Sequence, residues 1–383
     1  MMDDVLRVPR SRIGDVGRLA YADSEVDNLS FGESDHPPPD VARAALISAV
    51  EAGDLHYVDS RGRASVRAAI ADYLTCLHRQ PMSEGRIVVT ASGMAAIAVA
   101  FTGILRQGDR VVIHEPEWPN MAAAAIARGA EVVRLPLDPD GAGGFRLDLD
   151  RLDAVLAGAR IFCLNSPNNP TGWMARDEEI AAIIDLCRRH GVWLLSDEVY
   201  SRLVFDGVRA APSALDHVGP EDRVIVVNSV SKAWAMTGFR VGWLVVPEAV
   251  RDAFGEIVEA THSTTAPFAQ EAAAAALGDE DFVARFRRFC AEGRSIVTEG
   301  LAGLNRVEFR APPASFYGFL KVEGVADSLD FAKRLVVEHK VALAPGIAFG
   351  DPGEGHLRLC FAQSPAKLER AVARLRTGLA ALT

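Results

Sequence analysis

The sequence predicts an α/β fold: a three-layer α/β/α large domain with a mostly parallel sheet, plus a smaller α+β domain. One observation is a series of short β-branched runs that are apolar on both faces, which is typical of strands covered by helices. Another is the helical pattern between several of these runs, which makes a βαβ series. The rhythm then changes after about residue 280. We therefore expect residues 46–280 to form the large domain, and residues 1–45 with 281–383 to form the small one.

The predicted strands of the large domain follow one another closely along the chain. They are residues 86–90, 110–115, 131–137, 160–165, 192–196, 224–228 and 241–246. Helical patterns cover residues 64–77, 95–106, 120–128 and 178–190. Asp177 is the predicted N-cap of the last of these helices, and Gly191 is its predicted C-cap. Alternation of strands with helices predicts that the strands run mostly parallel.

The predicted small domain begins with a long helix. Helical patterns cover residues 281–301, 329–339 and 366–382, and strand patterns cover residues 307–310 and 316–322. Two further short strands are expected around Val341 and Leu357. We expect the N-terminal segment to join this domain.

Composition and charge exclude several classes of protein. Of the 383 residues, 49% are hydrophobic and 24% are charged, which is ordinary for a globular protein and excludes disordered and fibrous classes. The formal charge of -10 disfavours binding to nucleic acid or to an anionic membrane, because no net positive field attracts them. A local basic patch remains compatible with this balance.

The cysteines and the N-terminus favour a cytoplasmic protein. Five cysteines are scattered without a C-x-x-C pair, which is typical of reduced thiols. The first residues include acidic side chains where a signal peptide needs positive charge. No apolar run reaches the roughly 18 residues of a membrane span.

Three familiar motifs carry little weight here. The glycine-rich run 141–144 lacks the G-x-G-x-x-G spacing of dinucleotide sites. The histidines form no H-x-H or H-x-x-x-H pair, so no metal site is expected. The run from Ser229 to Lys232 matches the S-x-x-K motif of acyl hydrolases, but neither K-T-G nor S-D-N occurs. That hydrolase alternative predicts labelling of Ser229 by a β-lactam.

Lys232 follows directly on the predicted strand 224–228. Ligands bind at the carboxyl ends of the strands in open α/β sheets, although a single lysine there is commonly just exposed to solvent. Here Ser229 and Ser231 flank the lysine, and Arg240 lies eight residues further on. Hydroxyl groups and a guanidinium suit a phosphate, and a sequestered lysine can act as a nucleophilic amine.

Polar side chains follow two more strands. Asn169 lies in the run NSPNNPTG, which also has the composition of a simple tight turn. Asp197 and Tyr200 lie in SDEVY, after the apolar strand 192–196. A buried carboxylate there needs a cationic partner, unless Asp197 merely caps a helix.

Taken in order, these runs resemble the fold-type I, pyridoxal-phosphate-dependent aminotransferases of the class I/II (aspartate aminotransferase-like) superfamily. The resemblance extends from FGESD at residues 31–35 to GHLRLCFA at residues 355–362. It implies pyridoxal 5′-phosphate (PLP) as cofactor. It also implies transfer of an amino group between an L-amino acid and a 2-oxo acid in a ping-pong cycle.

The resemblance assigns catalytic roles to residues of this chain. Lys232 would hold the cofactor as a Schiff base and shuttle the proton of the substrate. Asp197 would pair with the ring nitrogen of the cofactor. Asn169 and Tyr200 would hydrogen-bond the ring oxygen, and Trp118, in EPEWPN, would stack on the ring.

The resemblance also assigns binding roles. The residues that would grip the phosphate are Ser92, Gly93, Met94, Ser229, Ser231 and Arg240. Tyr57 would reach the phosphate in the neighbouring subunit of a homodimer with shared active sites. Arg358 would bind the substrate carboxylate, with Gly32 and Asn169 beside it.

One alternative function remains open within the same fold. A PLP-dependent lyase or cyclising enzyme of carbon–sulfur or γ-elimination type would share every cofactor residue named above. The cofactor residues therefore do not distinguish a transaminase from a lyase.

Overall fold

The computed structural model describes residues 8–205 and 207–382. Residues 1–7, part of the predicted small domain, lie outside this range. The helices are α1 (Ile13–Tyr21), α2 (Asp40–Glu51), α3 (Ala64–Leu77), α4 (Gly93–Ile104), α5 (Pro119–Ala127), α6 (Leu149–Leu156), α7 (Asp177–His190), α8 (Arg251–His262), α9 (Pro267–Leu277), α10 (Glu280–Leu301), α11 (Ser328–His339) and α12 (Pro365–Leu382). The strands are β1 (Asp27–Asn28), β2 (Ile87–Thr90), β3 (Arg110–Glu115), β4 (Glu131–Pro136), β5 (Asp138–Pro139), β6 (Phe145–Arg146), β7 (Ile161–Asn165), β8 (Trp193–Asp197), β9 (Val224–Ser229), β10 (Gly242–Val245), β11 (Val307–Glu308), β12 (Tyr317–Val322), β13 (Val341–Ala342), β14 (Ala344–Pro345) and β15 (His356–Cys360).

A seven-stranded sheet forms the centre of the fold. Its strand order is β2-β10-β9-β8-β7-β3-β4. The neighbours from β9 to β4 run parallel, whereas β10 is antiparallel to both β2 and β9. The prediction of a mostly parallel sheet is confirmed. In the register of β7 and β8, Asn165 lies opposite Asp197, so two predicted site segments end side by side.

Helices cover both faces of this sheet, because the strands are apolar on both sides. Ile161 and Cys163 pack in one apolar cluster with residues of α4, α5 and α8. Phe162 and Leu164, which point the other way, pack in a second cluster with residues of α3, α7 and α9. The three-layer α/β/α prediction is confirmed.

A smaller antiparallel sheet completes the α+β part. Its order is β11-β12-β15-β14, and β15 carries Arg358. The helix α10 packs on α12, and α12 packs on α11. In the N-terminal segment, β1 pairs in parallel with β13, where Asp27 lies opposite Val341, and α1 packs on α11.

Of the two predicted caps of helix 178–190, the N-cap is wrong and the C-cap is confirmed. Arg176 is the N-cap, and Asp177 is the first helical residue. The carboxylate of Asp177 instead accepts hydrogen bonds from Arg79 at 2.9 Å and His217 at 2.8 Å, and these distant partners compete with a capping role. Gly191 is the C-cap, with the left-handed φ of 67° that favours glycine. No helix within residues 8–205 and 207–382 is long and apolar enough to cross a membrane.

Candidate active site

A cavity of about 490 Å³ opens at the carboxyl ends of the parallel strands. Residues from both sheets and from the N-terminal segment line it. The predicted site residues in this lining are Gly32, Ser92, Gly93, Met94, Trp118, Asn169, Asp197, Tyr200, Ser229, Ser231, Lys232, Arg240 and Arg358. Tyr57 is not among them; its side chain is 87% exposed on the surface.

Lys232 lies just after β9, and its side chain projects into the cavity. Its Nζ donates a hydrogen bond to the main-chain oxygen of Gly32. The protein around the ammonium lowers the pKa of Lys232 to about 8, because desolvation disfavours the charged form. A neutral amine, the nucleophilic form, is therefore accessible under mild conditions.

Asp197 ends β8 and is only 6% exposed. Within residues 8–205 and 207–382 its carboxylate has no ion-pair partner, and the main-chain N–H of Val199 donates to it at 3.3 Å. Burial raises the pKa of Asp197 to about 7. No α-helix begins at this point, so the capping alternative fails. The carboxylate is poised to pair with a cationic group of a ligand.

The other end of the cavity is suited to an anion. The helix α4 begins there at Gly93, and Ser92 caps it by accepting a hydrogen bond from the N–H of Ala95 at 3.0 Å. Free N–H groups at a helix N-terminus attract phosphate. Ser229, Ser231 and Arg240 line the same cavity, so two hydroxyl groups and a guanidinium are added to the helix end.

A glycine allows this end of the cavity to form. A Cβ atom added at Gly242 in β10 would lie 2.5 Å from the main-chain nitrogen of Gly93. Any larger residue at position 242 would therefore push the start of α4 away from the sheet.

The loop after β7 is held by its own asparagines. The main-chain N–H of Asn169 donates to Oδ1 of Asn165 at 2.9 Å, and Nδ2 of Asn165 donates to the main-chain oxygen of Asp197 at 3.1 Å. The NNPTG run is thus a turn, as its composition suggested, and it also presents Asn169 to the cavity.

Tyr200 and Tyr317 share a hydrogen bond between their hydroxyl groups at 2.8 Å. Both rings are buried, and burial raises the pKa of both phenols. Tyr317 was not predicted as a site residue. It lies within the predicted strand 316–322, and nothing local in the sequence distinguishes it from a core aromatic residue.

Arg358 is 2% exposed and has no carboxylate partner within the described part of the chain. Its Nη1 donates to Oδ1 of Asn169 at 3.0 Å, and its Nη2 donates to the main-chain oxygen of Ser30. Its Nε is buried and unpaired. The guanidinium lies 4.4 Å from the ring centroid of Tyr317. A buried, unneutralised guanidinium is chemically suited to a carboxylate.

Glu117 is a further buried acid that the sequence did not single out. Its carboxylate accepts hydrogen bonds from the N–H of Trp118 at 2.9 Å and from Nδ2 of Asn168 at 3.0 Å. Burial, with the negative charge of Asp197 second, raises the pKa of Glu117 well above its usual range. Glu117 therefore ties Trp118 to the loop after β7 without adding a full negative charge beside Asp197.

His114 packs beneath Glu117 and is fully buried. Burial lowers the pKa of His114 to about 4. Its Nε2 accepts a hydrogen bond from the N–H of Asn165 at 3.1 Å and lies 3.3 Å from the carboxylate of Glu117. The neutral imidazole is thus part of the same support. The only sequence signal was its nearness to Trp118 in the run HEPEW.

Comparison with known proteins agrees with this geometry. The family described as "Aminotransferase class I and II" matches residues 24–375. An aspartate aminotransferase of Thermotoga maritima is 33% identical over 92% of this chain and 90% of its own. An arginine–pyruvate transaminase of Pseudomonas aeruginosa is 32% identical over 92% of this chain and 89% of its own. The crystal structure of a Thermotoga maritima aspartate aminotransferase superposes with a TM-score of 0.91 at 32% identity, covering 98% of this chain and 100% of the other.

Proposed function

Because the chain belongs to the aminotransferase class I and II family, which is known to use PLP, we propose that its cavity binds PLP. The protein is an aminotransferase, which moves an amino group between an amino acid and a 2-oxo acid.

The residues present fit the cofactor. Asp197 is a buried carboxylate without an ion-pair partner among the described residues, and a protonated ring nitrogen would supply one. Lys232 lies in the same cavity and has an amine with a lowered pKa. Such an amine is suited to react with the aldehyde of PLP. The start of α4 suits a phosphate. The observation that carries the proposal is that Lys232 and Asp197 line the same cavity. Neither side chain has an ion-pair partner in the described chain.

The proposed roles of the ring-facing residues follow from their chemistry. When bound, PLP supplies an electron-accepting ring that makes the α-proton of an amino acid removable. Lys232 would hold the cofactor covalently and would act as a base that moves the proton of the substrate from Cα to C4′ of the cofactor. Asp197 would keep the ring nitrogen protonated. Asn169 and Tyr200 would donate hydrogen bonds to the ring oxygen, and Trp118 would stack on the ring.

The remaining residues bind charged groups at the two ends of the cavity. Hydroxyl groups, a guanidinium and main-chain amides hold the phosphate; they belong to Ser92, Gly93, Met94, Ser229, Ser231 and Arg240. Arg358 binds the α-carboxylate of the substrate through a fork of two N–H groups, with Gly32 and Asn169 beside it.

We also propose a homodimer in which Tyr57 completes the partner's phosphate site. Tyr57 is 87% exposed, and the apolar side chains of Ile47, Val50 and Leu55, which precede it in the sequence, are exposed as well. A two-fold symmetric pair gives both sites the same complement of residues. Such an arrangement explains why Tyr57 does not line the cavity that contains Lys232 in its own chain.

The proposed domain division and compartment have separate support. Residues 46–280 would form the PLP-binding domain, and residues 1–45 with 281–383 the small domain. The pairing of β1 with β13 supports placing the N-terminal segment in the small domain. We place the enzyme in the cytoplasm, since all five of its cysteines are free and four of them are buried.

A half-reaction tests the proposed function. The holoenzyme is mixed with single amino acids without a 2-oxo acid, and the absorbance of the bound cofactor is followed. We expect one amino acid consumed per site, no ammonia, and recovery of the original spectrum when a 2-oxo acid is added. Continuous release of ammonia would instead identify a lyase. An unchanged spectrum with every amino acid would contradict the proposal.

A further inference from the structure

We propose that the amino donor carries a large apolar or aromatic side chain, and that donors with a side-chain carboxylate are disfavoured. This inference rests on the proposed function, in which Arg358 holds the α-carboxylate. The side chain of the donor must then contact whatever cavity wall adjoins Arg358.

That wall is apolar. The guanidinium of Arg358 lies 5.1 Å from the ring centroid of Phe349. Phe349 belongs to a small apolar cluster that contains Ile13, and Phe31 packs against this cluster. Ile13 and Phe31 both line the cavity. A continuous apolar surface therefore leads from the carboxylate anchor into the cavity.

Helix α1 holds Phe31 in this position. The rings of Phe31 and Tyr21 stack with centroids 5.4 Å apart at 22°. Phe31 also lies so close to Gly17 that an added Cβ there would come within 2.3 Å of its Cζ. Tyr21 lines the cavity too. The stacked pair offers an aromatic surface, which suits another ring or a branched aliphatic side chain.

The charged groups of the cavity disfavour an acidic donor. The charged residues among its lining are Glu33, Glu117, Asp197, Lys232, Arg240 and Arg358. The three cations already serve the cofactor and the α-carboxylate. Of the acids, Glu33 has no described ion-pair partner and would repel a second carboxylate.

Arg12, in the N-terminal segment, does not supply a positive charge to the cavity lining. Arg12 lines a neighbouring recess that shares Trp118 and Glu117 with the cavity, and it is not part of the cavity lining. In the described chain a side-chain carboxylate would thus enter the cavity without a counter-charge, which is costly.

Donor selectivity tests the inference. The half-reaction rate constant divided by the dissociation constant is measured for phenylalanine, leucine, alanine, aspartate and arginine. We expect phenylalanine and leucine to exceed alanine by about tenfold or more, and aspartate to fall below alanine. Aspartate or arginine reacting as well as phenylalanine would overturn the inference while leaving the proposed function intact. Failure of every donor would overturn both.

A matched pair of variants tests whether the apolar wall that contains Phe31 determines the donor selectivity. Phe31→Ala should lower the ratio of phenylalanine to alanine by about tenfold. Phe145→Ala is the control, because Phe145 packs against the same apolar cluster but does not line the cavity. Equal loss of the ratio in both variants, or in neither, would overturn the inference.

Discussion

Nη1 of Arg358 donates a hydrogen bond to Oδ1 of Asn169 across 3.0 Å, and this bond connects the four-stranded sheet with the loop after β7 of the seven-stranded sheet. Arg358 lies on β15 of the four-stranded sheet, and Asn169 follows β7 of the seven-stranded sheet. The proposed anchor of the substrate carboxylate, Arg358, is therefore held by Asn169, which we propose contacts the cofactor. Binding of a substrate at Arg358 would therefore be geometrically linked to binding of the cofactor at Asn169.

Arg358→Gln should lower kcat/KM for amino acids by at least about a hundredfold, because the α-carboxylate loses its buried counter-charge. The absorbance of the bound cofactor should persist. Steady-state kinetics on the variant measure the loss, and Arg334→Gln is the control, since Arg334 pairs with Glu338 on the surface. An unchanged KM and kcat in Arg358→Gln would show that the substrate binds elsewhere.

Asp197→Ala should lower kcat by about two to four powers of ten, the scale of a lost electrostatic partner in an active site. The cofactor should still attach to Lys232. Turnover and circular dichroism are compared with those of Asp185→Asn, which changes an exposed surface carboxylate. Near-normal turnover in Asp197→Ala would show that Asp197 has only a structural role.

Covalent capture of PLP by the apoenzyme should depend on pH through Lys232. The lowered pKa of about 8 means that the amine is protonated and unreactive below this pH, and neutral above it. The rate constant should therefore rise with pH and level off above about pH 8. An ordinary lysine would go on rising toward about pH 10.4. Stopped-flow absorbance distinguishes these profiles, and a rise that continues beyond pH 9 would contradict the assignment.

A mixed dimer tests the role of Tyr57. Chains carrying Tyr57→Ala are combined with chains carrying Lys232→Ala, and the heterodimer is isolated. If Tyr57 acts across the interface, one site carries both lesions and the other carries neither. About half of the wild-type activity per dimer should then return.

The opposite outcome of the mixed-dimer test is equally clear. If Tyr57 acts within its own chain, the heterodimer should show about half the activity of the Tyr57→Ala homodimer. A protein that is monomeric in solution and fully active would contradict the shared site outright.

The sequence predicted the central sheet well, because its signal is local. Strands that are buried on both faces must be continuously apolar, and polar residues such as Asp197 mark where they end. Helix α1 was missed, because its nine residues include two glycines and its own propensity is weak. It is stabilised by the packing of Ile13 and Val16, which no local pattern shows.

Contacts between distant parts of the chain limited the prediction of the site. The approach of Gly32 to Tyr317 and the contact of Arg358 with Asn169 join segments far apart in sequence. The family resemblance supplied Arg358, whereas Glu117 looks like any acidic loop residue until its burial is known.

Borohydride reduction of the holoenzyme is the most direct test of the proposed active site. The reaction should fix the cofactor to the protein, and peptide mapping should place the label on the peptide that contains Lys232. Lys232→Ala should take up no label, whereas Lys340→Ala, which removes a surface lysine paired with Asp23, should be labelled normally. Recovery of the label on any lysine other than Lys232 would contradict the assignment of this cavity as the active site.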